Sequence, residues 1–404
     1  MWAMAVQGYR YILVGGGLAG ASAIDGIREV DKDGSILLLA AEASLPYNRP
    51  PLSKGLWLGK EQVSDIFVHD EAFYESQKVD LGLGASVSGI DPAGSAVHLA
   101  DGRSFVYEKL LLATGGAPRK LSIPGADLPG LFYYRTLGDF GSLRGQSGKG
   151  KSAVVIGGGF IGSEMAAALN VNGVDVTMVF PDPYLVHRVF PEGLGRAIQD
   201  QYRTRGVKVL SGDAPTSIEK PGEGFVTHTR NGESLPSDLV VVGIGIAPGV
   251  ELARAAGLTV ENGIVVDDRL RTTSPNVYAA GDNASFPYLA LGMRTRVEHW
   301  DNALNQGKQA GRNMAGADEP YGHMPFFFSD LFQFGYEAVG EVDSRLETFA
   351  DWHEENVTGV IYYLKDGKVR GAMMCNVWEK VDEARKLIKN GRTATPDDLR
   401  GAIK

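Results

Sequence analysis

Tyr9-Arg10-Tyr11-Ile12-Leu13-Val14-Gly15-Gly16-Gly17-Leu18-Ala19-Gly20 is the stretch that decides the fold. A short β-rich run leads straight into a G-x-G-x-x-G turn, and small and apolar residues continue at helical spacing through Ile27 and Val30. A second apolar run, Ile36 to Ala41, ends at Glu42, 22 residues after Gly20. This order of strand, glycine turn, helix, strand and acid is that of a dinucleotide-binding βαβ unit. Gly15 permits the tight turn, Gly17 lets backbone approach a pyrophosphate, and Gly20 lets helix and strand pack closely. The helix N-terminus aims N–H groups at phosphate, and Glu42 is placed to accept from ribose hydroxyls. A glycine turn that binds nothing would need neither the helix nor the terminal acid.

The same order recurs about 140 residues later. Ser152 to Ile156 leads into Gly157-Gly158-Gly159-Phe160-Ile161-Gly162, then a helix through Leu169 and a strand from Val174 to Phe180. Pro181-Asp182 follows. Asp182 is either a ribose ligand or a solvated turn aspartate. No arginine pair follows it to clamp a 2′-phosphate, which favours NADH over NADPH. Two further strand-glycine segments, Leu110 to Gly116 and Leu239 to Gly245, each close a Rossmann-like half. Asn276-Val277-Tyr278-Ala279-Ala280-Gly281-Asp282 is another strand ending in glycine and acid, with a helix expected from Ala284 or slightly later. From Pro320 aromatics accumulate, runs Val360 to Leu364 and Val369 to Met374 flank the turn Asp366-Gly367, and a helix from Val381 stops at Asn390-Gly391.

Composition narrows the class. The 53 glycines among 404 residues are about twice ordinary usage, and they cluster in tight loops after apolar runs. A net charge of −9 argues against a general nucleic-acid binder. Cys375 is the single cysteine, so no intrachain disulfide forms and no C-x-x-C dithiol can carry electrons. A lone cysteine in an apolar strand is read as packing. Met1-Trp2-Ala3-Met4 has neither the charged nor the apolar region of a signal peptide, and no stretch of about 18 apolar residues suggests a membrane span. A cytoplasmic location is the expectation. No cluster of His or Cys has metal-ligand spacing, so no metal site is expected. Two dinucleotide sites without a metal suggest a flavin and a nicotinamide; Gly281-Asp282 fits a ligand for a ribityl hydroxyl.

Longer matches carry a family resemblance. They are Leu45 to Lys54 (LPYNRPPLSK), Ala113-Thr114-Gly115-Gly116-Ala117-Pro118-Arg119, Gly157 to Glu164, Tyr278 to Asp282, Arg296-Val297-Glu298-His299-Trp300 and Phe328-Ser329-Asp330-Leu331. In these the chain resembles the FAD-dependent ferredoxin and rubredoxin reductases. Gly335 to Gly340 and Asn376-Val377-Trp378 point to the branch that includes apoptosis-inducing factor. No inserted hairpin after Trp57 and no mitochondrial leader is seen, so an apoptotic role is not expected.

The resemblance implies an α/β fold of glutathione-reductase-like architecture, with two Rossmann-like dinucleotide-binding domains and a C-terminal α+β domain. The implied boundaries are 1–118 with 246–319 for FAD, 119–245 for NAD(P)H and 320–404 for the third domain. It also implies roles. Arg49 and Lys54 line the flavin, and Glu164 pairs with Lys54 near the nicotinamide amide; these two are the expected catalytic residues. A cation near the reduced flavin stabilises its negative charge, and the carboxylate keeps that cation in place. Read without the resemblance, Lys54 is a surface lysine after a Pro-Pro turn and Glu164 a first-turn residue favoured by the helix dipole. Ala113, Thr114, Gly115, Arg119, Gly245, Gly281, Asp282 and Glu298 complete the cofactor contacts. Trp300 presents backbone donors to the flavin pyrimidine edge, and His299 and Phe160 face the nicotinamide. Phe328 stands where many relatives carry tryptophan, keeping a stacking face without the indole N–H.

The implied reaction is hydride transfer from NADH to FAD, followed by electron delivery to a small iron–sulfur protein or a small-molecule acceptor. Arg294 and Arg296 would offer a basic rim to an acidic ferredoxin, or are ordinary surface charges. The rival reading is a redox-sensing interaction protein like apoptosis-inducing factor, with slow NADH oxidation and a long-lived reduced flavin–NAD complex. A homodimer is compatible with either reading.

Overall fold

The computed structural model describes residues 7–403, so the expectation for Met1-Trp2-Ala3-Met4 lies outside the described residues. The chain divides into two compact units. The first takes the described residues up to 48, with 63–117 and 248–325; the second takes 49–62, 118–247 and 326 onward.

The first unit is built on a mainly parallel sheet. Gln7–Val14 lies between Ile36–Ala40 and Ser104–Leu112, parallel to both. Val79–Leu83 extends one side in parallel and Val277–Ala279 pairs with Ser104–Leu112, also in parallel. Ala96–Leu99 and Val87–Asp91 add an antiparallel ribbon. Ile36–Ala40 is buried along its whole length, as expected of a strand covered on both faces.

One face of this unit is organised by a close helix pair, Leu18–Val30 and Trp300–Met314. Small residues set the spacing. A Cβ on Gly307 would be driven into the Ala19 carbonyl oxygen, one on Gly311 into that of Ala23, and one on Gly26 into that of Lys308. These are backbone obstacles, so no rotamer change relieves them. At the exposed end of the pair Lys308 and Arg312 close on Glu29 at 2.7 and 2.6 Å, holding its carboxyl below the usual range.

The helix expected from Ala284 does not form there. Ala284–Tyr288 is a strand, parallel to Gly263–Val265 and antiparallel to Met293–Thr295. Ser285, Phe286 and Tyr288 suit a buried strand, and Gly292 in the left-handed region (φ 62°) precedes the return strand. The helix starts at Trp300 instead, 18 residues beyond Asp282.

The second unit carries the duplicated βαβ. Its five strands, in the order Lys208–Ser211, Asp175–Phe180, Ser152–Ile156, Leu239–Val242 and Leu131–Tyr133, are all parallel. Val154, Ile156, Val179, Val240 and Val242 form its core with Ile218, Phe225 and Leu235 of a three-stranded antiparallel sheet. Residues 326–375 make a five-stranded antiparallel sheet, and Val381–Asn390 is a helix ending at left-handed Gly391 (φ 62°). Cys375 is buried at the end of a strand of that sheet, and burial pushes its thiol far up. It is a packing residue. Among the described residues no helix is long and apolar enough to cross a membrane.

Candidate functional site

The two glycine loops fold alike, and each glycine has a separate reason. Gly15 and Gly157 adopt φ of +128° and +119°, a region open mainly to glycine. A Cβ on Gly20 would strike the Gly15 carbonyl oxygen, and one on Gly162 the Gly157 carbonyl oxygen. Gly17 and Gly159 differ. They cap the helices Leu18–Val30 and Phe160–Val171 with ordinary extended dihedrals, and a Cβ on either meets no atom within 4 Å. Protein packing does not require glycine at these two positions, and the space beside them leaves the backbone open to a ligand. The loops therefore fit dinucleotide pyrophosphates at two helix N-termini.

In the first unit, Glu42 follows Ile36–Ala40 and accepts a hydrogen bond from the Tyr47 hydroxyl at 2.6 Å. The backbone N–H of Ala113 donates to Val14. Thr114 Oγ1 donates to the Gly249 carbonyl at 2.5 Å and accepts from Asn283 Nδ2 at 2.8 Å, while Gly115 is left-handed at φ 61°. Gly281 turns at φ 87° and its N–H is held by Gln306 Oε1 at 2.8 Å. Asp282 accepts at its carbonyl from Arg296. Trp300 Nε1 donates to Asn48 Oδ1 at 2.7 Å, which fixes the start of its helix.

Arg294 and Arg296 are both bonded within the first unit. Arg296 is 8% exposed and paired with Glu298 at 2.5 Å, and Arg294 donates through Nη1 to the Val266 and Ser285 carbonyls. Arg294 fastens the sheet around Ala284–Tyr288 while remaining exposed, and Arg296 ties Glu298 to the Asp282 carbonyl.

Burial pushes the His299 imidazole down to about 4, against the opposing pull of Asp282 and Asp301. The folded pKa lies below the unfolded value of about 6.5, so between these values only the unfolded chain binds the proton. The contribution to stability is complete above about pH 6.5 and declines as pH falls toward 4. His299→Phe is expected to remove this slope. Between pH 7 and 4.5 the wild type should lose on the order of 2 kcal/mol more than the variant in urea unfolding; parallel losses would count against it.

In the second unit the segment Arg49–Gln62 is stitched down along its length. Arg49 Nη1 donates to the Arg135 carbonyl at 2.6 Å. The Tyr134 hydroxyl donates to the Leu52 carbonyl and accepts from Trp57 Nε1. Asn172 Nδ2 holds the Trp57 carbonyl at 3.1 Å. Between these anchors Lys54 Nζ meets Glu164 Oε1 at 2.6 Å, with the two side chains 16% and 5% exposed. The ammonium lies 5.6 Å from the centre of the Phe328 ring, a cation–π distance.

Of the other expected residues in this unit, Phe160 meets Phe327 edge-on at 5.6 Å and Ile161 is exposed at the helix start. Gly245 is left-handed (φ 92°) and its carbonyl accepts from the Arg119 N–H. Asp182 is half-exposed, 3.9 Å from His187 Nδ1. Ser53, Tyr134, Trp57, Asn172 and Ser329 were not singled out from the sequence. Ser53 and Ser329 lie inside the quoted motifs, but only the fold brings them to Glu164. Among the described residues no group of His, Cys, Asp and Glu could hold a metal ion.

Two dinucleotide cradles, an ion pair beside an aromatic face, and a single buried cysteine define a nicotinamide-dependent flavoprotein reductase that works without a dithiol. Residues 9–307 match the pyridine nucleotide-disulphide oxidoreductase family, and the chain belongs to it. Residues 310–357 match the C-terminal region of apoptosis-inducing factor, mitochondrion-associated. The chain is 35% identical to the ferredoxin–NAD(+) reductase component of the anthranilate 1,2-dioxygenase system of Burkholderia cepacia, over 96% of each protein. It is 34% identical to mitochondrial apoptosis-inducing factor 1 of Dictyostelium discoideum, over 96% of this chain and 80% of that protein. Its fold superposes on the reductase of the covalent putidaredoxin reductase–putidaredoxin complex with a TM-score of 0.90 at 29% identity, covering 96% and 95% of the two chains. Its cofactors are FAD and NAD(P)H.

Proposed function

We propose that the chain takes hydride from NADH and delivers electrons to a small ferredoxin-type iron–sulfur protein. FAD, when bound, supplies a ring that accepts two electrons as hydride and can release them singly. The observation that carries the reading is the Lys54–Glu164 pair, 2.6 Å apart and largely buried, in the unit that holds the second glycine loop. Lys54 offers a fixed positive charge to developing negative charge on the flavin, and Glu164 orients it. The loop from Gly15 to Gly20, Glu42, Arg49, Thr114, Asp282 and Trp300 bind FAD; Gly157 to Glu164 and Asp182 bind the nicotinamide dinucleotide. In this reading residues 1–118 with 246–319 form the FAD domain, 119–245 the NAD(P)H domain and 320–404 a third domain. Asp182 and the lack of an adjacent arginine pair favour NADH. The iron–sulfur partner is supported by the ferredoxin reductase relative and by the putidaredoxin complex. With one cysteine and no dithiol the reading includes a reducing compartment, the cytoplasm.

Cytochrome c reduction should depend on an added ferredoxin, rising at least about tenfold at saturating NADH; equal rates with and without it would reject the partner. The match of residues 310–357 favours one second reading, a redox sensor with slow turnover. It predicts a long-wavelength band and a change in assembly during anaerobic NADH titration followed by absorbance and gel filtration. Absence of both removes it.

A further inference from the structure

We infer that Ser53 and Ser329 are positioning residues that hold the Glu164 carboxylate on Lys54, an inference that rests on the catalytic reading of that pair. A carboxylate has two oxygens and about four acceptor directions, and three donors from two stretches of chain, the adjacent Ser53 and Lys54 and the distant Ser329, converge on this one. Lys54 Nζ and Ser329 Oγ both reach Oε1, at 2.6 and 2.5 Å, and Ser53 Oγ reaches Oε2 at 2.5 Å. Glu164 projects from the second turn of Phe160–Val171, not the first turn expected from the sequence, Ser53 from the short helical turn Pro50–Ser53, and Ser329 from the strand Phe326–Leu331.

The three side chains are almost wholly buried: Glu164 is 5%, Ser53 6% and Ser329 2% exposed. Ser53 Oγ also lies 3.4 Å from the Pro50 carbonyl, too far to compete with a 2.5 Å contact to a carboxylate. Ser329 Oγ gives its short bond to Glu164. An ion pair by itself fixes a distance but leaves the carboxylate free to rotate about its last torsion. A hydroxyl on each oxygen removes that rotation, so the charge that compensates Lys54 keeps one orientation.

The surroundings offer no substitute for the two hydroxyls. Burial and then Glu164 push the Tyr336 hydroxyl well above its usual range, and its side-chain partner is Ser329, not the Glu164 carboxylate. Burial raises the Asp330 carboxyl, with Lys54 opposing and Glu164 reinforcing the rise. Both groups respond to the charge on Glu164 without holding it.

The test is a double-mutant cycle on the FAD-loaded protein, read by stopped-flow flavin reduction at saturating NADH and by the flavin midpoint potential. Ser329→Ala is expected to slow reduction roughly tenfold, since the lost bond is to a charged group. It should also raise the potential, because Lys54 is less well compensated. Ser329→Thr, which keeps the hydroxyl, restores both. In a Glu164→Gln background Ser329→Ala should add less than about twofold and leave the potential unmoved. Ser53→Ala should behave as Ser329→Ala does and covers the case in which that variant folds poorly. Equal slowing in both backgrounds would mean packing and overturn the inference, as would an unchanged rate and potential in both serine variants. If Glu164→Gln itself leaves the rate unchanged, the catalytic reading of Lys54 and Glu164 fails, a result distinguishable from failure of the serines alone.

Discussion

Lys54→Met is expected to slow flavin reduction by NADH about 100-fold or more, the usual loss when one fixed donor to a developing charge is removed. A second effect runs in parallel and has to be separated. Without Lys54, Glu164 is a nearly buried carboxylate held only by Ser53 and Ser329. Removing one partner of a buried pair costs about 3–5 kcal/mol, and the lower end applies because the Lys54 side chain keeps 16% of its exposure. The double variant Lys54→Met/Glu164→Gln removes the orphaned charge and retains an amide that the two serines can still hold. Its stability in urea should return to near wild type while its hydride step stays slow. Recovery of the rate along with the stability would assign Lys54 a structural role. A single-variant rate within about threefold of wild type would do the same.

The parts legible in the sequence were those written in neighbouring residues. Both βαβ units, the strand ending at Ala279 and the helix Val381–Asn390 stopped by Gly391 follow from local patterns of apolar residues and glycine, and the fold has them there. The parts that were not legible depend on distant segments. Ala284–Tyr288 reads as the opening of a helix after Gly281-Asp282, yet pairing with Gly263–Val265 and Met293–Thr295 makes it a strand. Tertiary pairing overrides a weak local preference. The carbonyls and the carboxylate that Arg294 and Arg296 bind are likewise supplied only by the fold. Ser329 meets Glu164 across 165 positions of chain, and no spacing rule reaches that far. Short-range motifs therefore identify the two cradles, whereas the tertiary contacts that orient the ion pair appear only once the chain has folded.

The same contrast gives the second large effect, at Gly17 and Gly159. Substitution at Gly20 or Gly162 would confuse folding with binding, because their Cβ atoms meet backbone carbonyls that cannot move aside. At Gly17 (φ −95°, ψ −175°) and Gly159 (φ −84°, ψ −166°) an alanine is sterically ordinary and its Cβ points into open space. Gly17→Ala and Gly159→Ala should thus unfold in urea within about 0.5 kcal/mol of wild type when both are compared without ligands. On the proposed cofactor assignment each added methyl nevertheless stands where a pyrophosphate would approach the helix N-terminus. Loss of one hydrogen bond to a charged group, about 1.5–3 kcal/mol, weakens binding roughly 10–100-fold. The effects should divide by loop. Gly17→Ala is expected to lower FAD retention with NADH affinity little changed in the reconstituted protein. Gly159→Ala should keep its FAD and yellow colour but require far more NADH to bleach it. Fluorescence titration of FAD into apoprotein and anaerobic NADH titration of holoprotein measure the two separately. If both variants lose FAD alone, or NADH alone, the assignment of one cofactor to each loop is wrong. If neither affinity moves, the open space at these glycines is not where the dinucleotides lie.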